Sequence, residues 1–169
     1  MTMIPPWNDR AAEDQSLFNP AFCGLLLRTA CRGFNEGSTD ERSMPLPQAF
    51  IILPIVLNAR MRDTLPTLKT LMSTWVAAHP EHVAEFGDRA REMADVTREA
   101  IQFGCSQAWL AISGRGLSTG VARLRPDPPK LATDTDDVRA CYAAARFLGR
   151  WLPKDEQTST ILSLLGVAP

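Results

Sequence analysis

His79 and His82 lie three residues apart, a spacing that can turn two imidazoles toward one ion. No cysteine and no acidic cluster completes a known metal pattern around them, so they are expected to be surface histidines at a helix end, with no metal bound. Cys105 and Ser106 are the nearest thing to a nucleophile, but both fall on an apolar helical stretch without a base beside them, and a core role is expected. Asp88, Glu92, Asp95 and Glu99 alternate with Arg89, Arg91 and Arg98. At helical spacing that mixture makes a solvated, ion-paired face rather than an acid–base couple. No glycine-rich loop precedes a Lys-Ser or Lys-Thr pair, and Gly114-x-Gly116 sits between two short apolar runs, where it serves a turn. The residue types therefore predict no catalysis, no cofactor and no metal.

Recognition of nucleic acid is the other chemistry to weigh. Gln102, Ser106 and Gln107 can read base edges, and Arg115, Arg123, Arg125 and Lys130 form the one local basic excess. Across the chain, 18 Lys and Arg stand against 19 Asp and Glu, a formal charge of -1. Binding driven by bulk phosphate attraction is not expected from such a balance. Gln102 and Arg115 remain the candidate DNA contacts.

These residues must be positioned by something, and 169 residues with 45% apolar and 22% charged content suffice for one core without a staple. The fibrous, disordered and membrane-spanning classes are excluded. The most apolar stretch, residues 49–57, is nine long and contains Pro54, whereas a span needs about 20. The N-terminal residues show no basic segment followed by an apolar one, so a cytoplasmic protein is expected, with Cys23, Cys31, Cys105 and Cys141 as thiols.

Residues 1–16 carry Pro5, Pro6 and Trp7 among polar neighbours and read as an N-terminal arm; residues 17–169 read as a single, mainly helical domain. Asn19-Pro20 is a helix start, followed by the stripe Phe22, Leu25, Leu26 and Ala30, with Gly33 as the expected stop and an exposed loop over 35–43. Residues 44–58 predict a helix from near Pro47, buried nearly all round and kinked at Pro54. Arg60, Arg62 and Asp63 should return the chain to solvent. Leu68, Leu71, Met72, Trp75 and Val76 predict a helix capped by Thr67 and closed at His79-Pro80. Between Glu81 and Ala108 the apolar period fits one long helix or two, with a turn at 95–97 favoured. The runs flanking Gly114-Arg115-Gly116 predict a β-hairpin. After the three-proline spacer 125–130, a last long helix capped by Asp134, Thr135 or Asp136 should bury Cys141, Ala145 and Leu148. The apolar tail 161–167 must be buried as well. Helix, helix, turn, helix, hairpin is the order of a winged helix-turn-helix, with 97–107 as recognition helix and 114–120 as wing.

Several segments together resemble the middle component family of bacterial three-component ABC systems. They are Trp7-Asn8-x-Arg10, Phe18-Asn19-Pro20-Ala21-Phe22, Met44-Pro45-Leu46-Pro47-x-Ala49-Phe50 with Leu53-Pro54, Arg62-Asp63-x-Leu65-Pro66 and Thr97-Arg98-Glu99-Ala100. Trp109-Leu110, the stretch Ala145-Arg146-Phe147-Leu148-Gly149-Arg150-Trp151 and Leu164-Leu165-Gly166-Val167-x-Pro169 complete the series. The resemblance implies a small non-catalytic adaptor that works beside an SMC- or Rad50-like ABC ATPase and an effector, in anti-phage or anti-plasmid defence, with DNA as a candidate contact inside the assembly and no membrane. Trp7 and Arg10 pair an indole with a guanidinium, the residue types enriched where partners bind. Arg62 and Arg98, inside two of the resembling segments, join them as partner-binding candidates. The alternative function is a DNA-binding winged-helix transcriptional regulator.

Overall fold

Asn19 opens the first helix through its side-chain oxygen, which accepts the backbone N–H groups of Ala21 at 2.9 Å and Phe22 at 3.3 Å. Pro20 takes the first helical position, where its missing N–H costs nothing. The chain is seen in a computed structural model that describes residues 5, 9–11, 18–38, 43–130, 135–152 and 157–167. In order, the described elements are α1 (Pro20–Gly37), β1 (Met44–Pro45), α2 (Leu46–Val56), α3 (Ala59–Asp63), α4 (Met72–Ala78) and α5 (Pro80–Glu92). They continue with α6 (Ala94–Ser106), β2 (Leu110–Ser113), β3 (Gly116–Thr119), α7 (Asp136–Trp151) and α8 (Thr158–Leu164). The architecture is mainly α, as expected.

The expected stop at Gly33 does not occur, and 35–37 are helical rather than loop. Gly33 is there for proximity: a Cβ on it would lie 2.3 Å from the Arg146 carbonyl oxygen of α7. Gly149 on α7 answers, its missing Cβ standing 2.0 Å from the Ala30 carbonyl oxygen. Two helices can touch backbone to backbone only where side chains are absent. α1 is buried on every side from Cys23 to Cys31, between α7, α6 and the sheet.

α2 starts one residue before the expected Pro47 and carries Pro54 inside it, with Ile51, Ile52, Leu53, Ile55 and Val56 all buried. Its lead-in was not expected: Met44 pairs with Leu117, so the hairpin gains a third strand and the sheet runs β1-β3-β2, antiparallel throughout. Gly114 turns the hairpin at φ +60°, a left-handed conformation that glycine adopts without strain.

Residues 59–63 form a helical turn capped by Asn58 rather than a simple return to solvent. Thr67 is not a cap; α4 begins at Met72, and Leu71 is exposed. Two tryptophans hold the intervening loop: Trp75 donates its indole N–H to the Thr64 carbonyl at 2.8 Å and Trp151 to that of Thr70 at 2.6 Å, their rings meeting edge to face. The interval 81–108 is two helices, but the break falls at Met93 rather than at 95–97. Thr97 spends its hydroxyl on the Met93 carbonyl inside α6 and caps nothing.

The spacer after the hairpin is tied to α1. Arg28, with a side chain 7% exposed, donates to the Trp109 and Ala122 carbonyls at 2.7 and 3.0 Å and to Asp127 Oδ2 at 3.0 Å. Arg32 donates to the Asp127 carbonyl at 2.7 Å. Thr135 is the cap of α7, accepting from Val138; Asp134 lies outside the described residues. The apolar tail is buried through Ile161, Leu162 and Leu165. No described helix is long and apolar enough to cross a membrane.

Candidate functional site

A groove of about 680 Å³, its floor and walls mostly apolar, opens between elements. α2 supplies Leu46 and Phe50, α5 supplies Ala90, and the segment after α8 supplies Val167. The local sequence explains the opening. α5 is polar on most of its surface and inserts only Phe86 fully, so between it and α2 there are too few large side chains to close the gap.

Arg91 and Arg98 reach the groove from α5 and α6. Each is held by a carboxylate one turn earlier on its own helix, Arg91 by Asp88 at 2.5 Å and Arg98 by Asp95. The Arg98 guanidinium also stands 5.9 Å from the centre of the Phe50 ring. Exposed pairs of this spacing are worth about 0.3–0.5 kcal/mol, so either arginine can exchange its partner for another acid at little cost.

The other residues singled out in the sequence are scattered around this groove and elsewhere. Trp7 lies outside the described residues. Arg10 is turned inward, its side chain 7% exposed, and grips Glu99 of α6 with two parallel bonds of 2.8 and 2.9 Å while Nε donates to the Pro5 carbonyl. A forked guanidinium–carboxylate pair of this kind fixes orientation as well as charge. Arg62 is also turned inward. It donates to the Val56 carbonyl at 2.6 Å, to the Cys141 sulfur at 3.2 Å and to Asp137, and so ties the end of α2 to the start of α7. Gln102 is exposed on α6 and Arg115 is exposed in the turn between β2 and β3.

All four cysteines are free. Burial pushes the Cys23 and Cys31 thiols up to about 12, and it raises Cys105 and Cys141 as well. None is activated as a nucleophile.

His79 and His82 come together at the corner between α4 and α5, their rings stacked 5.3 Å apart. Glu81 stands between them, 3.2 Å from His79 Nδ1. A backbone N–H bond, aided by His79, holds its carboxyl below the usual carboxylate range. Sequence reading passed over Glu81 because a single acid is no cluster; its position inside the His79-Pro80-Glu81-His82 turn was the available signal. Glu99, the acceptor for Arg10, was likewise absorbed into the charged face.

A family model described as ABC-three component (ABC-3C) system Middle Component 3 matches residues 7–169. No curated protein and no solved structure matches the chain.

Proposed function

The chain belongs to the Middle Component 3 family of ABC-three component systems, and from that premise we propose that it is a non-catalytic, cytoplasmic adaptor linking an SMC-like ABC ATPase to an effector in a bacterial anti-phage or anti-plasmid system. The observation that carries the reading is the groove between α2, α5, α6 and the segment after α8. Its lining is apolar, and its two arginines sit in weak pairs that an acidic partner can displace. An amphipathic helix with acids flanking an apolar face satisfies both features at once. Arg98, one of the four residues expected at a partner surface, lines this groove. Arg10 and Arg62 act one step back: they hold α6 and α7 in place. Trp7 keeps its proposed role as a contact on the arm.

The experiment is co-expression of the tagged chain with the ATPase and effector encoded beside it. All three proteins should be recovered together, and Arg98→Glu should reduce recovery of one partner without lowering the melting temperature. The isolated chain should show no nuclease, ATPase or esterase turnover. Recovery unchanged by Arg98→Glu, or turnover abolished by one substitution in this chain, would overturn the reading.

A second reading has its own support. Setting aside α3, α4 and α5, which intervene between α2 and α6, the elements α1, β1, α2, α6, β2 and β3 with strand order β1-β3-β2 support a winged-helix reading in which α6 takes the recognition position. Gln102 and Arg115 are both exposed there. With so few phosphate partners, duplex binding at physiological salt should be weak. A tight, sequence-selective complex abolished by Gln102→Ala or Arg115→Ala would instead make the chain a DNA-binding regulator.

A further inference from the structure

The corner between α4 and α5 holds three donors that no role above uses. We infer that His79, Glu81 and His82 form a binding site for a zinc-class divalent cation. Glu81 Oε1 lies 3.2 Å from His79 Nδ1 and 3.9 Å from His82 Nε2, and one donor atom from each residue falls within 4.8 Å of the others. Around a tetrahedral ion with bonds of about 2.0–2.1 Å, donor atoms stand roughly 3.3 Å apart. The closest pair already meets that spacing, and the others need to close by an ångström or so.

The arrangement is built rather than incidental. Trp75 is buried, its indole nitrogen is anchored on the Thr64 carbonyl, and its ring packs 5.9 Å from both imidazoles. Two surface histidines without a task would be free to rotate; here a fixed indole forms the wall behind them. His82 is the more enclosed, with a side chain 12% exposed, while the Glu81 side chain is 61% exposed and leaves the solvent side open for a water ligand. Thr64 Oγ1, which donates to the Met61 carbonyl, lies 3.1 Å from His82 Nε2, so this ring too is held in place.

Two electrostatic terms oppose each other at the site. The start of α5 carries about half a positive charge, which repels a cation, whereas the Glu81 carboxylate brings a full negative one. The carboxylate wins. Two imidazoles with one carboxylate suit zinc and its neighbours, while magnesium and calcium require oxygen donors throughout. A bound ion would fix the first turn of α5, the helix that carries Phe86 and Ala90 into the groove.

The test is titration of the chelator-treated full chain with Co²⁺ alone, read by visible absorption, followed by displacement with Zn²⁺. One ion per chain should bind with micromolar affinity, the band should have the intensity of a four- or five-coordinate site, and Zn²⁺ should raise the melting temperature where Mg²⁺ does not. Glu81→Gln changes an exposed side chain and leaves the fold intact; it should weaken binding at least about tenfold, as should His79→Ala. His82→Ala is a poorer choice because that ring packs on Trp75. Lack of saturable binding below millimolar Zn²⁺, or an affinity unchanged in both Glu81→Gln and His79→Ala, overturns the site.

Discussion

The contact between α1 and α7 and the groove beside α5 are both made largely of apolar residues, yet one is closed to the limit and the other is left open. In the first, Gly33 and Gly149 bring two backbones so near that a single methyl group would strike a carbonyl oxygen at 2.0–2.3 Å. In the second, about 680 Å³ stands between helices lined by Phe50, Ala90 and Val167. Apolar content does not distinguish them. Side-chain size and spacing do: glycine and alanine at the α1–α7 contact let the helices meet, whereas Ala90 of α5 lines open space although Gly87, one turn earlier, approaches the Gly166 carbonyl closely. The first region is closed on itself, and the second stays open.

That contrast can be broken from the stable side first. Arg28→Ala leaves the largely buried Asp127 with Arg32 alone, at 3.4 Å, and takes a donor from the Trp109 and Ala122 carbonyls, a loss of about 3 kcal/mol or more. Chemical denaturation should show the midpoint falling accordingly. A loss under about 1 kcal/mol would mean the spacer is held by something other than this pair. Gly149→Ala comes next, at about 3 kcal/mol, because the obstructing atom is backbone and cannot rotate away. By the usual scaling this lowers the melting temperature by about 10 °C, and an unchanged melt would show that the helices can part without penalty.

The open side should respond in the opposite sense. Phe50→Ala removes a half-buried ring from the groove wall, so stability should fall by about 1 kcal/mol while partner capture falls about thirtyfold. Equal losses in both would erase the distinction between the two regions. The smallest perturbation is a thiol reagent at pH 8. Cys23 and Cys31, pushed up to about 12, hold almost no thiolate below that value and should stay unlabelled in the native chain. Cys105, partly exposed, should react first, with the remaining thiols reached only in denaturant. Rapid native labelling of Cys23 would show that α1 opens readily.

Much of the stable region was legible in the sequence, since capping and period are local signals. Asn19-Pro20, Thr135, the hairpin and the burial of the tail all follow from neighbours a few residues away. What failed was non-local. Gly33 looks like a helix stop until Arg146, far along the chain, is known to press against it. The strand at Met44 exists because Leu117 pairs with it, and two residues with a proline carry no pattern of their own. Arg62 and Arg10 look like exposed charges until Asp137 and Glu99 are found facing them. The groove was the least legible feature, because an unfilled space depends on the distance between helices rather than on any residue.

The partnership of Ala30 with Gly149 also governs when the molecule can become itself. α1 and α7 are separated by all the elements from β1 to β3, so the contact that seals the core joins distant parts of the chain. A nascent chain that has emerged only through the hairpin must keep α1 without its largest neighbour, with the face that carries Ala30 and Gly33 uncovered or held by a chaperone. Completion waits for α7 to clear the ribosome, so translation itself sets the earliest moment at which this core can close.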